Sequence, residues 1–239
     1  MRRLLPRLLD DVDPYDLYAD DPPSLRLNMV SAVDGAATDA GGTTATLGGP
    51  GDQAVFRALR ALADGIVVGA GTVRAEGYGP HRPPAALAQR RAADGRPVPA
   101  PIVVVTRSGD LDWSGPLFTQ AVTRTIVVTC ATAGNLARAR QVATVLVVGE
   151  ETVDLPTAIA DLHDEQGLTH LLCEGGPALA SDLLRDGLVD ELCLTLTPVL
   201  AGGAGAKTIV EGQRRRMDLS LTALAETAGE LYCRYRVAR

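Results

Sequence analysis

The chain is poor in aromatic residues, with one Trp, two Phe and five Tyr among 239 positions. Its core must therefore be filled by Val, Leu, Ile and Ala. The four cysteines, Cys130, Cys173, Cys193 and Cys233, form no C-x-x-C. That excludes a zinc knuckle or paired redox thiols and leaves small apolar core residues. No apolar run reaches bilayer-spanning length, and Met1-Arg2-Arg3-Leu4-Leu5-Pro6 lacks the apolar stretch of a signal peptide, so the expected location is the cytoplasm. No basic patch stands out against the net charge of −6, so neither nucleic acid nor a membrane is an expected partner. The run Arg214-Arg215-Arg216 reads as solvated surface. G-x-S-x-G, the P-loop and P-C-x-x-C are missing, and His81, His163 and His170 show no metal spacing. Hydrolase, NTP-binding and zinc-deaminase readings lose their support with them.

What is present is one device used three times. Ile66-Val67-Val68 runs into Gly69-Ala70-Gly71-Thr72-Val73, Ile102-Val103-Val104-Val105 into Thr106-Arg107-Ser108, and Leu171-Leu172-Cys173 into Glu174-Gly175-Gly176-Pro177. Short aliphatic runs of this kind suit buried parallel strands. Glycine at the hand-over to a helix lets a phosphate approach backbone N–H groups. Repetition predicts a phosphorylated cofactor along the carboxyl edge of a sheet.

Around these runs the pattern predicts an acidic, proline-bearing arm over residues 1–24 without a core of its own, followed by a single domain over 25–239. Leu25 to Val30 reads as the first strand and Gln53 to Leu62 as a helix that buries Val55, Leu59 and Leu62 and exposes Arg57 and Arg60. A short helix opens at Thr72, and the proline-rich segment from Tyr78 to Pro101 reads either as a surface helix flanked by loops or as partly mobile. Thr125–Thr129, Val145–Val148 and Glu191–Thr197 read as strands, with helices over Ala131–Gln141, Leu155–Gln166 and Pro177–Arg185. The last begins on proline, which suits a first helical turn. A glycine-rich loop covers Val199–Gly205, and Leu219–Glu226 with Glu230–Val237 predict an antiparallel hairpin turning at Ala228-Gly229. The sum is one α/β fold with a mainly parallel sheet and antiparallel C-terminal strands.

Each candidate site residue carries two readings. Glu174 is a carboxylate at a strand end, suited to substrate N–H donors, or an exposed residue of a tight turn. Thr72 either touches a phosphate or caps a helix. Thr106 and Arg107 offer a hydroxyl and a guanidinium matched to a phosphomonoester, or a surface turn. Asp34-Gly35 is a carboxylate near a heteroaromatic substrate, or plain turn chemistry.

Taken together, Asn28-Met29-Val30-Ser31-Ala32-Val33-Asp34-Gly35, Leu59-Arg60-Ala61, Gly69 to Val73, Val104 to Arg107, Glu174 to Pro177, Asp190-Glu191-Leu192 to Thr197-Pro198, and Gly202-Gly203 resemble one family in order and spacing over about residues 25–237. It is the reductase domain of riboflavin biosynthesis, the C-terminal half of RibD, including its stand-alone members. The resemblance implies a dihydrofolate reductase-like three-layer α/β sandwich, a homodimer, and NADPH as cofactor. It implies reduction of 5-amino-6-(5-phosphoribosylamino)uracil, a diaminopyrimidine ribosyl phosphate, to the ribityl product. A reductase of a dihydrofolate or pterin substrate, or a catalytically silent NADPH-binding protein, are the alternatives.

Residue by residue, the resemblance implies Asp34 and Asn28 at the reacting centre and Glu174 on the pyrimidine ring. Thr44 would meet substrate, and Thr46 the cofactor. Gly69, Gly71 and Thr72 would bind NADPH, Thr106 and Arg107 its 2′-phosphate, and Gly175, Gly176, Ala178 and Leu179 its diphosphate and nicotinamide ribose. The family's Ser-Leu-Asp-Gly reads Ala32-Val33-Asp34-Gly35 here, without its hydroxyl, and the tryptophan often found in the first loop reads Thr46.

Overall fold

A computed structural model describes residues 1–19, 24–39, 41–44, 46–96, 98–203, 206–212 and 216–238. Asp20 to Pro23, Gly205, Arg214 and Arg215 lie outside the described residues. Among the described residues no helix is long and apolar enough to cross a membrane.

The aliphatic runs become the parallel strands β2 (Leu25–Ala32), β3 (Gly65–Gly69), β4 (Ile102–Val105), β5 (Ile126–Thr129), β6 (Thr144–Val147), β7 (Leu171–Cys173) and β8 (Glu191–Thr197). β9 (Leu219–Thr227) and β10 (Glu230–Val237) form the expected hairpin and pair antiparallel to the rest. Its turn places Ala228 and Gly229 at φ 54° and 84°, the left-handed pair that a two-residue hairpin needs. With β1 (Arg2–Leu5) the sheet has ten strands in the order β1-β9-β10-β8-β2-β7-β3-β4-β5-β6.

Why both faces of this sheet are covered is written in its strands. Ile66, Val68, Ile102, Val104 and Leu172 point into one apolar cluster, while Val67, Val103, Leu171 and Cys173 point into another. That is the period-two alternation of a strand buried on both sides. The first cluster takes helices α1 (Pro14–Ala19), α2 (Pro50–Leu62) and α3 (Ala70–Glu76), and α4 (Ala85–Ala93) packs on its edge through Leu87. Two later helices, α5 (Pro116–Thr119) and α6 (Leu136–Val142), join the same side. The second cluster takes α7 (Leu155–Asp164) and α8 (Pro177–Arg185). The result is the expected α/β sandwich in three layers, with all four cysteines buried and free.

Two expectations are corrected and one alternative is decided. Residues 1–24 are not merely an extended arm: Arg2–Leu5 adds an edge strand to β9, and α1 buries Tyr15, Leu17 and Tyr18 in the main cluster. Aromatic side chains bury enough area to hold a helix of six residues in place. The helix expected from Ala131 starts only at Leu136, because Asn135 is left-handed at φ 62° and residues 131–135 form turns. Of the two readings of the segment from Tyr78 to Pro101, the structure has the helix flanked by loops, α4, whose Arg91 is buried against backbone carbonyls of Ala61 and Val98.

Candidate active-site cleft

From β2 the chain passes over β7's position to β3 and then outward to β6. It returns to insert β7 between β2 and β3. Connections leave in opposite directions at that point, and a crevice opens there at the carboxyl ends of the strands. It is a cleft of about 430 Å³, within the range of small-molecule sites.

One wall comes from α2. Asp52, Phe56 and Arg60 lie four residues apart and so stand on one stripe of the helix, and all three line the cleft. The floor comes from β2 and β7. Asn28 and Val30 pair with Cys193 and Thr195 of β8, and Glu174 lies two residues beyond Leu172, on the same face of the sheet. The opposite wall is α3 and the turn after it. Gly77, at φ 61°, ends the helix and brings Tyr78 over Arg60.

Glu174 is the centre of a closed network. Its carboxylate accepts from Arg60 Nε at 2.6 Å, from the Arg60 terminal nitrogen at 2.7 Å and from the Tyr78 hydroxyl at 2.6 Å. Its side chain is 2% exposed, against 18% for Arg60. Burial opposes the charge on Arg60, but the Glu174 carboxylate beside it prevails and raises the guanidinium's pKa. The Tyr78 hydroxyl is pushed up as well, first by burial and then by the Glu174 charge. Arg60 also stacks over Phe56, its carbon 4.2 Å from the ring centroid. The two correspondingly expected roles change. Arg60 is not a solvent-facing residue, and Glu174 holds a cation and a phenol rather than presenting free oxygens to a ring. Behind Arg60, His81 is buried with Nε2 unpartnered among the described residues, and its pKa is pushed down to about 4 by burial and by the charges of Arg60 and Arg91.

The strand-end glycines meet as expected. The Gly69 N–H donates to the Gly175 carbonyl at 2.8 Å, and a side chain on Gly176 would put its Cβ 2.5 Å from the Thr72 hydroxyl. A side chain at Gly176 would have to displace the Thr72 hydroxyl, so glycine suits the close approach of α3 to the turn before α8. Gly71, Thr72 and Gly176 line the cleft. Leu179 is buried under the first turn of α8, while Ala178 is exposed on it. Asn28 lines the floor with its buried Oδ1 unpartnered among the described residues. Thr44 lines the cleft too, with its N–H donating to Glu76 at 3.1 Å.

Other expected residues sit elsewhere. Asp34 is exposed outside the cleft lining, and its carboxylate accepts from the N–H groups of Gly202 at 2.7 Å, Ala201 at 3.0 Å and Ala36 at 3.2 Å. Those bonds, Gly202's foremost, hold it below the usual aspartate pKa. It fastens the loop after β2 to the loop after β8, so a place at the reacting centre is corrected to a loop anchor. Thr46 donates to Asp39 at 3.0 Å, away from the cleft lining. Thr106 is buried, and its hydroxyl accepts from the Gly109 N–H at 3.1 Å inside a turn. Arg107 is exposed at the end of β4, one strand beyond Gly69. Asp52, Glu76, Tyr78 and Lys207, the chain's only lysine, are cleft residues that sequence reasoning missed. The signal for Asp52 was the i, i+4, i+8 stripe with Phe56 and Arg60 beside the apolar stripe of α2.

Such a fold and cleft define an α/β protein that holds a small molecule at the switch point of its sheet. The chain belongs to the RibD C-terminal domain family, whose model matches residues 23–231. A 2,5-diamino-6-ribosylamino-4(3H)-pyrimidinone 5′-phosphate reductase of Archaeoglobus fulgidus is 31% identical over 192 residues, 80% of this chain and 87% of that protein. The protein of the same name from Methanothermobacter thermautotrophicus is 31% identical over 80% of this chain and 85% of its own. Among solved structures, a pyrimidine reductase-like protein of Corynebacterium diphtheriae superposes with a TM-score of 0.82 at 27% identity, covering 95% of this chain and 100% of that one.

Proposed function

We propose that the chain is an NADPH-dependent reductase that converts the ribosylamino group of a pyrimidine ribosyl phosphate to a ribitylamino group. The favoured substrate is 2,5-diamino-6-ribosylamino-4(3H)-pyrimidinone 5′-phosphate, with 5-amino-6-(5-phosphoribosylamino)uracil as the second. One observation carries the reading: the family match over 23–231 spans the segments that build the cleft, from β2 and α2 to β7 and the Lys207 loop. The diamino form is favoured because two relatives at 31% identity bear that name, whereas RibD of Mycobacterium tuberculosis is 26% identical. A homodimer in the cytoplasm completes the reading.

The residues present suit the cofactor. Gly71 has open space where a side chain would stand, and Gly176 precedes α8 without a side-chain cap, so the first-turn N–H groups remain available to a diphosphate. Gly69, Thr72, Gly175, Ala178 and Leu179 border the same edge, and exposed Arg107 suits a 2′-phosphate. When bound, the reduced nicotinamide supplies hydride.

The chain's own residues do the rest. Asn28 offers its unpartnered Oδ1 to a substrate N–H or O–H. The Arg60–Glu174–Tyr78 network keeps the wall rigid and polar for the pyrimidine, and Lys207 offers an ammonium to the 5′-phosphate. Rigid placement of two reactants supplies much of the rate. The test is oxidation of NADPH by the purified chain with each pyrimidine and with dihydrofolate, and a product mass increased by two hydrogens. Turnover of dihydrofolate alone would move the assignment to pterins. Tight NADPH binding without turnover of any would leave a cofactor-binding protein.

A further inference from the structure

Of the charged groups on the α2 stripe, Arg60 is neutralised by Glu174. Asp52 is not: among the described residues no Lys, Arg or His lies within ion-pair distance of it. Thr195, which faces Val30 across the β8–β2 pairing, is the hydroxyl that counts against the pKa-raising effect of burial at the Asp52 carboxyl. The Asp52 backbone N–H donates to Glu230 of β10 at 3.3 Å, and the Tyr232 hydroxyl donates to the same Glu230 oxygen at 2.6 Å. Space for the Asp52 carboxyl is made by the turn before α2, because a Cβ at Gly48 would overlap it. The chain thus holds a half-buried carboxyl against the cleft, beside a second carboxylate and with no cation of the described residues at ion-pair distance. Such a place favours a proton on the group.

We infer that Asp52 is the proton donor of the reduction, delivering its hydrogen to the ring oxygen O4′ of the substrate's ribosyl group. The inference rests on the function proposed above. As O4′ takes the proton, the C1′–O4′ bond breaks and its electron pair stays on O4′. The lone pair of the 6-amino nitrogen forms the C1′=N bond. Hydride from the reduced nicotinamide then adds to C1′, and the nitrogen recovers its lone pair. One hydride and one proton are consumed, the sugar carbon is reduced, the nicotinamide is oxidised, and the ionised Asp52 is reprotonated from solvent.

The electrostatics agree with the geometry. Burial raises the Asp52 pKa above the usual aspartate range, the Thr195 hydroxyl opposes this, and the Glu230 charge adds to it. The other charged or titratable groups facing the cleft are Arg60 of α2, Glu76 of α3, Tyr78, Glu174, and Lys207 in the loop after β8.

The experiment uses the full chain with the pyrimidine substrate and NADPH, and the variants Asp52→Asn, Asp52→Glu and Glu230→Gln. General acid catalysis of this kind is worth about 10²–10⁴-fold. Asp52→Asn should lose kcat on that scale with a nearly unchanged substrate KM. Wild-type kcat/KM should fall as pH rises through a titration above ordinary aspartate. That limb should vanish in Asp52→Asn, persist in Asp52→Glu, and move to lower pH in Glu230→Gln. A readout without turnover is the carboxyl-carbon NMR titration of the unliganded protein, with the Asp52 resonance assigned by its absence in Asp52→Asn. An active wild type whose Asp52→Asn variant keeps the same kcat and pH profile overturns the inference alone. So does an Asp52 carboxyl that titrates at or below the ordinary value. A wild type inert toward both pyrimidines sinks the proposed function and this inference with it. If Asp52→Asn melts early, Asp52→Glu and the NMR titration decide.

Discussion

Arg60 and Glu174, 114 positions apart in the chain, meet in a two-pronged ion pair with N···O distances of 2.6 and 2.7 Å. The pair joins α2 to the end of β7 across the candidate site. A fork of this kind fixes orientation as well as charge, because the guanidinium and carboxylate planes match.

Removing the cation should therefore cost more than the pair contributes. Arg60→Met leaves the buried Glu174 carboxylate without its partner, a loss of about 3–5 kcal/mol. Arg60→Lys keeps the charge but not the fork and should lose less. Urea unfolding of the three proteins checks the order, and equal midpoints would show that the pair contributes nothing.

His81 makes stability depend on mild acid. Its folded-state pKa is about 4 against 6.5 for the free side chain. Between those values the unfolded chain binds a proton that the native one refuses, so stability is full above about pH 6.5 and declines as pH falls toward 4. The slope reaches ~1.4 kcal/mol per pH unit, and the whole loss is about 3 kcal/mol. In His81→Gln the unfolding midpoint should lose this part of its pH dependence. An unchanged slope would place the titration elsewhere.

Arg107 is exposed, so Arg107→Ala should leave the melting temperature alone. If it holds the 2′-phosphate, the KM for NADPH rises on the order of tenfold to a hundredfold, from a lost charged hydrogen bond, while the KM for NADH stays put. Equal changes with both cofactors would remove Arg107 from that site.

Gly176→Ala drives a methyl group to 2.5 Å from the Thr72 hydroxyl and should cost about 1–3 kcal/mol. Thr72→Ala in the same chain relieves the overlap. The double variant should then be more stable than Gly176→Ala alone, a coupling that a two-by-two melting series measures directly. Additive losses would mean that the two residues do not meet.

How far the site could be read beforehand differs from residue to residue. Gly71, Thr72 and Gly176 were legible as edge residues because strand ends in a parallel sheet converge on one edge whatever else the fold does, whereas Asn28, inside β2, was singled out by the family resemblance. Arg60 was misread, since an arginine beside an apolar helical stripe looks the same whether it faces water or a carboxylate from a distant strand. Asp34 was misread for the opposite reason. Asp-Gly after a strand marks a loop, and only the position of Ala201 and Gly202 shows that its oxygens are occupied. Tyr15, Leu17 and Tyr18 lie in a segment too short for periodicity to register.

The sequence alone determined the α/β class, the parallel runs, the C-terminal hairpin and the glycine-lined edge, because these follow from alternation, β-branching and turn residues within a few positions. Tertiary structure decided which side chains pair across the cleft. It brought Glu174 to Arg60, left Asp52 beside Glu230 with no cation of the described residues at ion-pair distance, and drew Asp34 away to tie two loops. Those outcomes depend on electrostatics and burial between residues far apart in the chain, and no local pattern carries that information.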